Sequence, residues 1–425
     1  MTPAKKTALL VICNPAAGAR QAAETFEQEL LPTLREHGRE PAQIVSTASP
    51  GHAGQVVVDF LKAVPEQQVD VVLGSGDGTL HEILDAIDHA GSTGLDSRFT
   101  ELTFALVPCG TANALYNALF PPKPEQNEDI VANAKVLSIR SMLSDANTAR
   151  PLQLARTTFV PPSTVDVPLP PGARTSVAAV VTSTALHASI LHDSEALRAT
   201  HPGVERFKLA AQANITRWYN ARARLFVSPP AVPGATLTPG VEVYDPAQGQ
   251  FVLYKGDAAS ADGTVVELEG PFAYFLCTTS VDRLEPTFRI APKQCSFPPP
   301  PLGSPATMDL VVVRPTRDPS VLDASEQTRQ AFAQKCMSVM TGAYRDGAHI
   351  NMRYGPGGEV LEGEGNGPPV VEYFRCNGWE WIPEAADDAA HLVCVDGEIH
   401  HIQPGGKAVC QALQDFGSVK ISVYA

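Results

Sequence analysis

Long hydrophobic runs are what this 425-residue sequence most plainly lacks. No stretch reaches the roughly 18 continuous apolar residues of a spanning helix. Basic charge is also short: 32 Lys and Arg stand against 46 Asp and Glu, a formal net charge of −14. That balance excludes the broad basic face that nucleic acid requires, and it argues against docking on anionic membranes by charge alone. The eight cysteines contain no C-x-x-C pair, so neither a zinc nor a disulfide framework is expected. Cys13, Cys109, Cys277, Cys295, Cys336, Cys376, Cys394 and Cys410 read instead as thiols of a reduced, cytoplasmic protein. Internal repeats and low-complexity segments are missing too. The apolar run near the start, ALLVIC, leads into a turn and reads as a first strand rather than a signal peptide.

Composition is otherwise that of a globular chain, 44% hydrophobic and 18% charged, and its length calls for two domains. The stretch Val69–Leu84, VDVVLGSGDGTLHEIL, organises the first of them. An apolar, β-branched strand gives way to Gly74-Ser75-Gly76-Asp77-Gly78-Thr79, and Leu80, Ile83, Leu84 and Ile87 follow at helical spacing. A glycine turn between strand and helix presents backbone N–H groups and a helix N-terminus, which suit phosphate. Asp77 does not suit phosphate by itself. It requires a metal ion, a proton to take, or both.

Three further strand–turn–helix units flank this one. Strands are expected at Thr7–Cys13, Gln43–Ser46 and Leu102–Val107, and helices at Gln21–Glu36, His52–Val64 and through Ala118. Four such units in succession predict a doubly wound parallel α/β sheet, with ligands beyond the carboxyl ends of its strands. The turns Asn14–Gly18, Thr47–Gly51, Gly74–Thr79 and Pro108–Asn113 all occupy that edge. From about Arg150 the texture changes to short β-rich runs, among them Gln153–Phe159, Ser176–Thr182 and Phe272–Thr278. Proline loops at 161–171, 229–240 and 298–305 separate them, and the tail adds a strand at Val419–Val423. The reading is an α/β domain over 1–149 and an all-β, antiparallel β-sandwich domain over 150–425. Helices interrupt the second at Asp193–Tyr219, chiefly Arg206–Tyr219, and at Ser325–Met340.

The motifs NPAAG (Asn14–Gly18), SGDGTLHEIL (Ser75–Leu84), PCGTANAL (Pro108–Leu115), HDSEALR (His192–Arg198), ERF (Glu205–Phe207) and VDGE (Val395–Glu398) resemble those of the diacylglycerol kinase catalytic-domain family, and within it the sphingosine kinase and ceramide kinase branch. The resemblance implies a cleft between the domains, ATP and Mg²⁺ as requirements, and a lipid hydroxyl as phosphate acceptor. It implies nucleotide contacts from Asn14, Pro15, Ala16, Thr47, Ser75, Gly76, Gly78, Thr79 and Glu82. Gly110, Thr111 and Ala112 would line the phosphates, and Arg198 and Arg206 would face them. Asp396, Gly397 and Glu398 would bring an acidic turn back to the site. Asp77 takes the place of the catalytic aspartate, and Ser75, Gly76, Asp77, Gly78 and Asp193 would meet the acceptor. Such a protein touches membranes peripherally.

Simpler roles are open to several of these residues. Thr111 and Asn113 suit helix caps, Asp396-Gly397 suits a hairpin turn, and His81 suits packing beside the site. The pairs His187 with His192 and His400 with His401 lack metal-ligand spacing. The acceptor implied first is a sphingoid base, with diacylglycerol or ceramide, or a non-catalytic lipid- or nucleotide-binding regulator, as alternatives. One departure bears on that choice. Leu186–His192, LHASILH, carries no carboxylate to receive a sphingoid amine, which leaves Asp193 or Glu195 for that role.

Overall fold

The computed structural model describes residues 7–18, 22–65, 68–91, 101–122, 135–144, 148–162, 173–201, 203–227, 240–255, 259–260, 263–294, 306–363, 367–413, 416–417 and 419–425. Cys295 and most of the three proline loops lie outside them. The other seven cysteines are free thiols.

Three buried strands and one largely exposed edge strand begin the first sheet: β1 (Ala8–Cys13), β3 (Gln68–Ser75) and β4 (Glu101–Pro108), with β2 (Gln43–Ser46) at the edge. They run parallel in the order β2-β1-β3-β4. Near-continuous Val, Leu and Ile are what a strand covered on both faces needs. Alternate residues serve the two sides. Leu10, Ile12, Val71 and Leu73 pack with the helices α1 (His52–Ala63) and α2 (Asp77–Gly91). Leu9, Val11, Cys13 and Val72 meet Phe26, Leu30 and Leu34, with Ile139 and Met142 alongside. The helix expected at Gln21–Glu36 is Ala22–Glu36 with a π turn over Phe26–Leu30. That widening precedes Pro32, which has no N–H for the carbonyl four residues earlier.

The tail strand, expected among the β-rich tail runs, is Lys420–Tyr424 and pairs parallel with β4. Ala149–Pro151 then closes that edge antiparallel. We propose that the two units part near Arg150, with the last strand handed back to the first unit.

The second unit holds an eight-stranded and a six-stranded sheet, both antiparallel. Their inner faces meet where Phe275 contacts Trp379 and Trp381, at ring-centroid distances of 5.5 and 5.0 Å. The run expected as one strand, Ser176–Thr182, divides. Arg174–Ala178 lies in the six-stranded sheet and Val181–Thr184 in the eight-stranded one, so the chain changes sheets at Ala179-Val180. The helical interruption begins earlier than expected, at Ala185, and comprises Ala185–Ala196 and Glu205–Asn214. It stops short of Tyr219, whose backbone bridges Phe272 and so is claimed by sheet pairing.

Candidate active site

The order β2-β1-β3-β4 reverses direction between β1 and β3, and the turns after these strands flank that switch point. They are tied to each other by side chains. Asn14 donates from Nδ2 to Thr79 Oγ1 at 3.0 Å, and Ser75 Oγ lies 2.5 Å from the same hydroxyl. Asn14 Oδ1 also accepts from the Ala16 N–H, which shapes the turn through Pro15. Thr47 donates its N–H to Cys13 O, and Glu82 Oε2 accepts from the Gly51 N–H at 3.0 Å. Glu82 is therefore engaged in holding the loop before α1, and burial raises its carboxyl above the usual range.

The turn after β4 approaches the turn after β3 at backbone distance. A Cβ on Gly110 would sit 2.4 Å from the Gly76 Cα, and a Cβ on Gly76 would sit 2.9 Å from the Gly110 Cα. Only glycine fits on either side. Asn113, in the left-handed region at φ 53°, clasps Gly110 through both side-chain atoms, accepting from its N–H and donating to its carbonyl. Ala112 is fixed in turn by Asn117 Nδ2 on its carbonyl, and Thr111 is exposed beside it. Gly78, by contrast, faces open space. Backbone is thus bare on one side of a rigid ring of turns.

Asp77 closes that ring. Its carboxylate accepts the N–H groups of Ala114 (2.7 Å) and Leu115 (3.1 Å), at the start of α3 (Ala114–Leu119). The helix cap expected from Thr111 or Asn113 is supplied from another turn, because the side chain of Asn113 is spent on Gly110. Burial raises the Asp77 carboxyl above its ordinary range, against the pull of those backbone donors.

The acidic turn of the second unit faces this place. Asp396 and Gly397 both have positive φ, 47° and 98°, joining Leu392–Val395 to Glu398–His401 as a two-residue hairpin turn. The Asp396 carboxylate accepts three backbone N–H groups, from Ala179, Val180 and Val181 at 2.7 to 3.0 Å. The crossing of the chain between sheets provides those donors. Burial pushes the Asp396 carboxyl up to about 6, and the charge of Asp77 adds to the push.

His81 joins the two units. Its Nδ1 lies 2.8 Å from the Val177 carbonyl, an acceptor only, so Nδ1 donates. Its Nε2 lies 3.1 Å from Glu398 Oε2. These contacts and the charges of Asp396 and Asp85 raise the ring to about 9 despite its burial. Further along α2, Asp85 accepts from the Val177 N–H and Ser176 Oγ, and Asp88 pairs with Arg156. Sequence spacing ran a helix from Leu80 to Ile87, which takes in Asp85 and stops short of Asp88; nothing local marked either as a fastener.

Arg198 and Arg206 come together over Glu195, the first exposed and the second buried. Among the described residues neither bonds to the glycine turns. Arg206 lies over the Phe207 ring, its Nε has no hydrogen-bond partner, and burial with the nearby Arg198 lowers its pKa. Asp193 binds His192 and Asn214 at 2.8 and 2.7 Å.

Compared with known proteins, the chain matches no curated sequence. Its fold is that of two solved structures from Bacillus anthracis str. Sterne, both carrying the name "putative diacylglycerol kinase". The first has 15% identity and a TM-score of 0.51, covering 100% of this chain and 98% of that one. The second has 14% identity and a TM-score of 0.50, covering 99% and 98%. Residues 8–143, which carry the fused glycine turns and Asp77, match the family model described as the Diacylglycerol kinase catalytic domain.

Proposed function

We propose that the chain is an ATP- and Mg²⁺-dependent lipid kinase, with the reaction at Asp77. The observation that carries this reading is the bare backbone at Gly78 beside the Gly76–Gly110 contact, a cradle that a side chain would fill. The site has the donors a phosphate chain needs, in backbone N–H groups and helix starts. The carboxylates of Asp77 and Asp396, which keep lone pairs beyond their N–H partners, would be the oxygen donors for a hard cation. ATP supplies the phosphoryl group and Mg²⁺ neutralises its charge. Asp77, fixed by two N–H donors, keeps lone pairs to orient an acceptor hydroxyl and take its proton late. Arg206, only 3.9 Å from the Glu195 carboxylate and with its Nε unpartnered, supports a phosphate group as a further anion for this arginine pair.

For the acceptor, the local charges favour a neutral acylated lipid, diacylglycerol or ceramide, over the sphingoid base. Asp193 and Glu195 already hold partners, and His187, bonded to Ser183 Oγ, is held neutral by burial at about 4. An ammonium group brought along α4 (Ala185–Ala196) would have to compete with those partners for a carboxylate. Tail burial adds about 0.8 kcal/mol per CH₂. A lipid acceptor would be met peripherally, at a membrane surface, from the cytoplasm; among the described residues no helix is long and apolar enough to cross a membrane.

The test is a kinase assay on a panel of diacylglycerol, ceramide and sphingosine, read by mass spectrometry. Diacylglycerol or ceramide should be phosphorylated in preference to sphingosine. The Asp77→Asn variant should lose transfer on every lipid while binding ATP nearly as well. Near-normal turnover by that variant sinks the assignment of Asp77, and a strong preference for sphingosine sinks the acceptor.

A further inference from the structure

A second cluster lies at the seam between the units, and phosphoryl transfer leaves part of it unused. His400 is 2% exposed, and neither of its ring nitrogens has a hydrogen-bond partner. Its ring rests on Phe159 at a centroid distance of 4.7 Å, which fixes its plane but satisfies neither nitrogen. A buried imidazole left this way is costly unless something else binds it.

The fold gives it company that sequence spacing does not. Glu398 and His400 stand two apart on the strand Glu398–His401, hence on one face. His81 reaches the same face from α2. The three ligand atoms lie within 4.8 Å of one another, with His81 Nε2 3.1 Å from Glu398 Oε2 and His400 Nε2 3.8 Å from Glu398 Oε1. Ligands around a tetrahedral zinc ion, bound at about 2.0–2.2 Å, stand about 3.4 Å apart. Only small side-chain shifts separate the two arrangements. His81 is oriented as metal-bound histidines are: Nδ1 donates to a backbone carbonyl, that of Val177, and Nε2 points into the cluster.

We propose that His81, Glu398 and His400 form a binding site for one divalent transition ion of the zinc class. Two imidazoles and a carboxylate suit zinc or cobalt and not the hard, oxygen-seeking magnesium that accompanies ATP. Glu398 is half-exposed, so the ion has an entry path and a fourth position open to water. The Asp85 carboxylate, 3.7 Å from His81 Nε2, and Asp396 add negative charge nearby, while Arg174, 3.5 Å from Glu398, is the opposing cation. An ion seated there takes the place of the His81 Nε2 proton and ties α2 of the first unit to a strand of the second.

The test uses the full-length protein after dialysis against chelator, with neither ATP nor lipid present, so it stands apart from the kinase reading. Titration with Co²⁺ should give the intense visible absorption of a four-coordinate site, saturating at one ion per chain and displaced by Zn²⁺. Zn²⁺ should also raise the Tm. His400→Gln and the half-exposed Glu398→Gln should each weaken uptake at least about 10-fold and lose the Tm rise. Absence of one-to-one uptake in the wild type overturns the site, as does uptake unchanged in both variants.

Discussion

Asp77, proposed as the reacting carboxylate, also caps α3, and the cap complicates the usual test of the proposal. Replacing it by Asn leaves one acceptor for two N–H groups and turns an NH₂ toward a donor at the start of α3. Leaving one such N–H unpaired costs about 1–3 kcal/mol. Asp77→Asn should therefore show a lowered Tm as well as lost transfer, and ATP binding must be measured on the folded fraction by calorimetry. A variant with unchanged Tm argues against the capping role. The turn chemistry around Asp77 is legible in sequence because glycine and aspartate act within a few residues. Its partners Ala114 and Leu115 are not, since they belong to another turn. Histidine gives a second prediction at this scale. His187 and His349 are buried and held neutral down to about 4. The unfolded chain takes up protons below its ordinary histidine pKa of about 6.5, and the folded one does not until near 4. Stability should fall as pH drops through that window. Urea midpoints measured from pH 7 to 4 check it, and His187→Gln should flatten the slope.

At the scale of elements, the glycines separate into those that permit contact and those that leave space. Gly110→Ala would drive a methyl group into the Gly76 backbone, so we expect loss of ATP binding with part of the stability. Gly78→Ala meets nothing within 4 Å of its new Cβ, and the fold should tolerate it. Thermal melts and calorimetric ATP titrations of the pair distinguish a packed turn from an open one. Equal stability loss in both would refute the distinction. Most elements of the first unit could be read from periodicity, since buried parallel strands and amphipathic helices declare themselves locally. The break at Ala179-Val180 could not. Its residues continue an apolar run, and what divides them is the Asp396 carboxylate, contributed by a turn more than two hundred residues later.

For the molecule as a whole, α2 is shared property. One end starts at Asp77 and its flank fastens the second unit through His81, Asp85 and Asp88. Domain texture was legible from composition, but this seam and the route of the last strand were not, because pairing between distant segments leaves no local period. Lys420–Tyr424 lies against β4, and the Tyr424 hydroxyl reaches past it to Asp70 of β3 at 2.8 Å. Ser138 Oγ binds the Tyr424 carbonyl and the Leu106 N–H together. A chain ending after residue 417 should expose the β4 edge and aggregate or lose its cooperative transition, as light scattering and urea unfolding would show. Full solubility with an unchanged midpoint would refute this.

The position of that strand also sets an order of events during synthesis. The first four strands leave the ribosome early, yet their sheet has an open flank until Lys420–Tyr424 follows. The sheet that carries the glycine turns is thus completed by a strand made after the second unit has been produced. A nascent chain stalled before residue 420 should remain protease-sensitive and, on the proposed function, unable to retain ATP, so ATP binding would arise only once the second unit is already present.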